Sequence, residues 1–428
     1  MTTERKNYTL PIIMMILLFG MISFVTNLAA PIGVIWKSQP QFEGSNFLGM
    51  LGNLMNFIAY AIMGIPAGKL LSRLGYKKTA LLSIALGFAG VFIQFLSGVF
   101  DSSNAFVIYL IGAFIAGFSM CGLNTVVNPM LNTLGGGGNK GNQLIQIGGT
   151  FNSLTGTLTP MLVGALIGEV TKSTVISDVN PVLFIAMSVF ALVFIVLSLV
   201  RIPEPHLEKT VATTQKSEYS AWSFRHFVLG AIAIFIYVGI EVGIPGTMMY
   251  YLADAEAGNM GASVAGFVAG TYWFLMLIGR FIGAAIGGKI SSKTMLTVAS
   301  ALGVILVVAG MILGDSAKVA IPAFTGSSFE MVRVPIAAMF FVLCGLCTSV
   351  MWGGIFNLAV EGLGKYVTAA SGIFMMMVCG GGILPLIQNA IADGAGYMAS
   401  YWVPVAGFVY LLYYAFIGSK NVNKDIPV

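Results

Sequence analysis

Apolar runs of about 20 residues, each closed by a short polar stretch, repeat along almost the whole chain. A helix of that length covers a hydrocarbon core of ~30 Å, so the pattern predicts membrane helices. With charges, prolines and glycine clusters as boundaries, twelve spans are predicted, near 9–35, 46–71, 79–100, 105–133, 143–168, 181–200, 226–252, 261–288, 294–313, 335–360, 366–392 and 398–417. The fold class that follows is an all-α membrane protein. The first run is too long for a leader and lacks a small-residue cleavage site, so it reads as a retained span.

Composition agrees with this reading. Of 428 residues, 57% are apolar and 9% charged, where a soluble domain carries about 25% charged residues. Lys and Arg stay on the cytoplasmic side of such proteins. Sixteen of the 21 basic residues fall on one set of alternate loops and four (Lys37, Lys172, Lys318, Arg333) on the other, with Arg280 inside a span. Both termini are therefore expected in the cytoplasm, and the net charge of +5 reads as basic loops facing anionic lipid rather than a nucleic-acid surface. Cys121, Cys344, Cys347 and Cys379 all lie in apolar runs, which predicts packing rather than disulfide or metal chemistry.

The longest polar stretch, 201–225, divides the chain into bundles at 1–200 and 226–418, followed by a tail at 419–428. Its His206, and His226 beside it, read as solvated loop residues. GKLLSR at 68–73 recurs as GKISSK at 288–293, an offset of 220 residues on the same side of the membrane. That arrangement predicts parallel repeats of six spans about an axis along the membrane normal. Gly64 and Gly68, and likewise Gly279, Gly283 and Gly287, recur every four residues and would let helices approach closely.

Only Glu241 and Arg280 put a charge deep within a span, where an ionisable group costs at least about 2.5 kcal/mol and marks function by default. Glu241 sits in YVGIEVGIPG (237–246), whose glycines and proline are expected to loosen the helix and free carbonyls. It is suited to taking up and returning a proton, with ordering of the seventh span as the alternative. Arg280, two turns from Lys289, reads as a gating or structural residue. Amides are plentiful in the spans: Asn27, Asn53, Asn56, Gln94, Asn124, Asn128, Gln146, Asn152, Asn357, Gln388 and Asn389. They match the hydroxyls of a neutral sugar, and Tyr272, Trp273 and Trp352 can cover a pyranose face, although each also suits interhelical bonding or interfacial anchoring. GGGNKG at 136–141 imitates a phosphate loop but has neither a preceding strand nor a GK[ST] ending. No nucleotide-hydrolysing, metal or nucleophile constellation is present in the sequence, so neither an enzyme nor a bound cofactor is expected.

GIPAGKLLSRLGYKK (64–78) resembles the loop signature of the major facilitator superfamily. GLNTVVNP (122–129), FNSLTGTLTP (151–160), YVGIEVGIP (237–245), GRFIGAAIGGKIS (279–291), IFNLAVEGLGKYVTAASG and the following GGGILP (355–385) resemble its fucose/glucose/galactose permease branch. The resemblance implies a sugar:cation symporter of the plasma membrane, in bacteria the inner membrane. It works as a monomer by alternating access, coupled to proton or sodium. Asn27, Asn124, Asn128, Gln146, Asn152, Trp273, Trp352, Asn357, Gln388 and Asn389 are then the candidate sugar contacts, with Gly68, Ser72, Arg73, Arg280 and Lys289 as gating positions.

The sequence departs from that branch at informative places. Asn27 and Asn124 stand where proton-coupled members carry acids, which leaves Glu241 as the coupling candidate or implies an uncoupled facilitator. Gly149 stands where Gln is frequent, which is expected to enlarge or move the sugar pocket and leaves another solute open. Ser72 replaces the acidic latch residue of the loop signature, which predicts an inward-leaning resting state. A nutrient sensor is disfavoured by the short tail.

Overall fold

The computed structural model describes residues 8–99, 104–135, 138–168, 170, 174–204, 219–286, 289–423 and 425–427. The predicted linker, with His206, and parts of the 136–141 and 288–293 motifs, with Gly287, lie largely or wholly outside them. The helices run α1 (Thr9–Ser38), α2 (Asn46–Val99), α3 (Ala105–Leu134), α4 (Gly138–Ile167), α5 (Asn180–Leu199), α6 (Arg225–Ala253), α7 (Ala262–Ile286) and α8 (Ser292–Leu313). A hairpin of β1 (Lys318–Phe324) and β2 (Phe329–Pro335) follows, then α9 (Ile336–Thr348), α10 (Met351–Val360), α11 (Val367–Met377), α12 (Gly380–Ala395), α13 (Tyr397–Ser400) and α14 (Trp402–Tyr413), which closes in a π turn at Tyr414–Gly418. Among the described residues, ten helical stretches are long and apolar enough to cross a membrane.

The 54 residues of α2 would span roughly 80 Å as one rod, far more than a bilayer core. The chain instead turns at Gly75, whose φ of 79° and ψ of 178° fall where only glycine sits without strain. Glu204, arriving from the end of α5, caps the second leg by accepting the N–H groups of Tyr76 at 2.6 Å and Lys77 at 2.8 Å. The two legs correspond to the second and third predicted spans. The tenth and eleventh predicted spans are each split, α9 from α10 at Ser349–Val350 and α11 from α12 at Val378–Cys379. The helix α4, richer in Gly, Thr, Ser and Asn, is not among the ten and packs against α1 and α7.

Three expectations change. The fold is not wholly helical, because residues 318–335 pair as an antiparallel hairpin, Lys318 opposite Pro335 and Phe324 opposite Phe329. The helix α6 does not break at Gly243–Gly246: it runs through Pro245, and the missing proline N–H leaves only the carbonyl of Glu241 without its helical donor. His226 is fully buried at the start of α6, with Nε2 2.9 Å from the carbonyl of Glu361, rather than solvated.

Candidate functional site

Three helix pairs form a seam between the first half of the chain and the second: α2 with α11, α2 with α12, and α4 with α7. Small residues allow the approach. A Cβ on Gly64 would meet Met376, and one on Gly382 would stand 3.0 Å from the Leu54 backbone. A Cβ on Gly270 would lie 2.6 Å from the carbonyl of Thr157, and Gly266 abuts the carbonyl of Pro160. Of the glycines singled out in the sequence, Gly64 therefore serves the seam, Gly68 faces open space, and Gly279 and Gly283 pack on Ser349 and Val350 within the second half.

On the seam lies a cavity of about 30 Å³ lined by Thr26, Asn27, Ala30, Met50, Asn53 and Pro160 from the first half and by Val242, Pro245, Gly246, Met249, Ala269 and Trp273 from the second. The lining holds amides, a hydroxyl and an indole, and no charged side chain. Asn27 donates to the Ser23 carbonyl at 2.9 Å, while Asn53 donates across the seam to the Gly381 carbonyl at 2.8 Å. Ligand pockets measure ~300–1,000 Å³, so this one must widen before it takes a solute larger than water.

Next along α6 stands the charged pair. Glu241 accepts from the Tyr237 hydroxyl at 2.8 Å and lies 3.9 Å from Arg280. Their side chains are 14% and 16% exposed. The Arg280 guanidinium also donates to the carbonyl of Gly149 on α4, so it ties the carboxylate of one half to the backbone of the other. This gives Gly149 a different meaning from the enlarged pocket expected of it. A Cβ there would stand 2.9 Å from Arg280 Nη1, so the space freed by glycine is taken by the guanidinium.

At the end of the seam away from the basic loops, Lys37 is 6% exposed. Its Nζ donates to Asn46 Oδ1 at 2.7 Å and to the Tyr397 hydroxyl at 3.0 Å, and lies 3.4 Å from Asp254 Oδ2. The Tyr397 hydroxyl is 2.8 Å from both Asn46 Oδ1 and Asp254 Oδ2 and donates to one of them. Nearby, Asp393 accepts from the backbone of Asn46 and Phe47 and from Ser45. Burial pushes the Asp254 carboxyl up, but the Lys37 charge and the Tyr397 and Lys37 hydrogen bonds outweigh it and hold it below the ordinary carboxylate range. A lowered folded value means that the contact stabilises fully above the unfolded value of about 3.9 and is lost as pH falls through the folded one. Thermal melts of purified protein are therefore expected to hold level from neutral pH down to about 4 and to fall below it, the fall being smaller in Asp254→Asn.

Of the residues singled out as sugar contacts, the cavity takes Asn27 and Trp273. Asn124 donates to Tyr60, Asn128 to the Asn124 carbonyl and Asn152 to the Phe19 carbonyl, all half-buried in the first half. Trp352 lies 6.2 Å ring to ring from Tyr237, beside the charged pair. Asn357 is exposed on α10. Gln388 and Asn389 are buried between α12 and α6, Asn389 donating to Thr247 at 3.0 Å. Gln146 lies on α4, its side chain outside those described. Toward the basic loops, Ser72 donates only to the Lys69 carbonyl, and Arg73 and Lys289 are exposed.

The Lys37 cluster was not foreseen. Its signal was available: Lys37 is one of four basic residues on the sparse side, and acids close the seventh and eleventh predicted spans on that same side.

A sequence profile of the Major Facilitator Superfamily matches residues 12–417. The chain is 30% identical over 431 residues to a glucose/galactose transporter of Brucella abortus, covering 98% of this chain and 97% of that protein. It is 22% identical over 448 residues to the L-fucose-proton symporter of Escherichia coli, covering 98% and 96% respectively. A crystal structure of the E. coli fucose:proton symporter superposes with a TM-score of 0.68 at 20% identity, over 97% of this chain and all of that one. The helical seam, the loop signature and the profile agree, and the chain belongs to the major facilitator superfamily.

Proposed function

We propose that the protein is a permease for a neutral hexose, deoxyhexose or amino sugar, moving it by alternating access and coupling it to a cation through Glu241. Twelve crossings in two six-helix bundles, 1–200 and 226–418, rock about the seam. Both termini face the cytoplasm of a bacterial inner membrane, and the unit is a monomer. The observation that carries this reading is the seam cavity, walled from both halves by Asn27, Asn53, Thr26 and Trp273 without a charged side chain. Such a wall suits hydroxyls and one apolar ring face and disfavours an ionic solute. The similarity to a glucose/galactose transporter supports the same substrate class.

The deciding experiment is uptake of a labelled hexose panel into proteoliposomes, with and without imposed proton and sodium gradients. Accumulation of one hexose above equilibrium establishes the symporter, and a panel in which no sugar enters refutes the reading. Trp273→Ala is expected to raise the KM of the transported sugar about 30-fold, the loss of about 2 kcal/mol typical of a buried aromatic anchor. A KM unmoved by that change would remove Trp273 from the site.

A second reading, an uncoupled facilitator, draws on the ion pair itself. Glu241 already faces Arg280 at 3.9 Å, and neither Asn27 nor Asn124 can titrate. Equilibration without accumulation under every gradient would select it.

A further inference from the structure

The first leg of α2 begins at Asn46, and its leading N–H groups have no partner inside the helix. The first two are satisfied from the far side of the seam, while Leu48 N is capped locally by Ser45 Oγ at 3.2 Å. Asp393, in the last turn of α12, accepts from Asn46 N at 2.7 Å and Phe47 N at 2.9 Å, and from the Ser45 hydroxyl at 2.8 Å. Its carboxylate also places negative charge at the positive end of the helix dipole. The side chain of the same Asn46 receives Lys37 and Tyr397, so one residue joins both parts of the closure. Each of these bonds except Lys37 to Asn46 and Leu48 to Ser45 crosses from one half of the chain to the other.

The opposite end of the helix pair is built differently. There the α2 loop offers Ser72, exposed and, among the described residues, bonded only to its own turn, beside Gly68 in open space. A carboxylate bridges the halves at one end, whereas at the other the Glu204 carboxylate caps Tyr76 and Lys77 from within the first half.

We propose that Asp393 is a state-selective latch. It caps α2 across the seam only while the Lys37 end is closed, and this contact sets the resting state. The proposal rests on the alternating-access reading, and its test therefore uses accessibility in place of transport. The four native cysteines, all buried, are replaced, and a single reporter is introduced. Met50→Cys reports the Lys37 side, one turn into α2 on the cavity wall. Gly372→Cys, facing open space on α11, reports the other side. Membrane-impermeant maleimide is applied to right-side-out and inverted vesicles.

Asp393→Asn keeps the shape but not the charge. It is expected to speed labelling of the Met50→Cys reporter from the Lys37 side about tenfold, in line with the loss of the charge at the helix N-terminus and of one acceptor oxygen, and to slow labelling of the Gly372→Cys reporter. Asp393→Glu should stay near the parent. Ser72→Asp, which leaves Asp393 untouched, should move both reporters in the same directions as Asp393→Asn. Unchanged labelling in Asp393→Asn at an unchanged melting temperature would overturn the latch and leave the permease reading intact. Faster labelling of both reporters at once would also overturn it, as general loosening. If the Met50→Cys reporter in the parent labels equally from both faces, alternating access fails and the latch fails with it.

Discussion

Glu241→Gln is expected to turn accumulation into equilibration. In gradient-driven uptake the substituted protein should bring sugar to the external concentration and no higher, while exchange of labelled for unlabelled sugar continues. Glutamine keeps the size of the side chain and can still accept from Tyr237, now at 2.8 Å, so the seventh span stays ordered. What disappears is the ability to change charge. With the carboxylate ionised, Arg280 is balanced by Glu241 and bonded to the Gly149 carbonyl across the seam. Protonation would leave the guanidinium its contact with the Gly149 carbonyl and remove its counter-charge, which is the step by which Glu241 is proposed to couple a proton to the seam. Accumulation undiminished in Glu241→Gln would show that the driving ion is taken up elsewhere.

Gly270→Leu should abolish turnover with little change in whether the protein inserts. Even a Cβ at position 270 meets the Thr157 carbonyl at 2.6 Å and Met161 at 3.3 Å. A leucine has to push α4 and α7 apart or distort both, and overpacking of this kind costs about 1–3 kcal/mol. The strain falls only on the arrangement in which this part of the seam is closed, so the substitution should hold the Lys37 end open. Uptake assays should read near background, and a Met249→Cys reporter on the cavity wall should label readily from that side. Wild-type transport rates in Gly270→Leu would mean that the α4–α7 contact does not tighten during the cycle.

The membrane helices were legible because each is a long apolar run ending in charge. Asn27, Trp273, Glu241 and Arg280 were legible as polar, aromatic or charged groups in apolar surroundings. Lys37, Asp254, Asp393 and Tyr397 were not. Each stands at a span end, where a polar residue needs no explanation, and Asn46 meets Asp393 only through packing across 347 positions of chain. The role of Gly149 was hidden for a related reason, since a missing side chain tells nothing of what fills its place until Arg280 is seen there. The hairpin at 318–335 did carry a local signal, the alternation in VAIPAF and FEMVRVP about a TGSS turn. It falls between two strong helical runs and has the length of an ordinary loop.

The two legs of α2 receive carboxylate caps of different permanence. Glu204 reaches Tyr76 and Lys77 from within the same half of the chain, whereas Asp393 reaches Asn46 and Phe47 from the other. Whenever the halves separate at the Lys37 end, the amide protons of Asn46 and Phe47 are released to water while those of Tyr76 and Lys77 stay bound. Deuterium uptake at the first pair should therefore keep time with the conformational cycle and quicken with the transported solute, and the second pair, on the same helix, should serve as its unmoving reference.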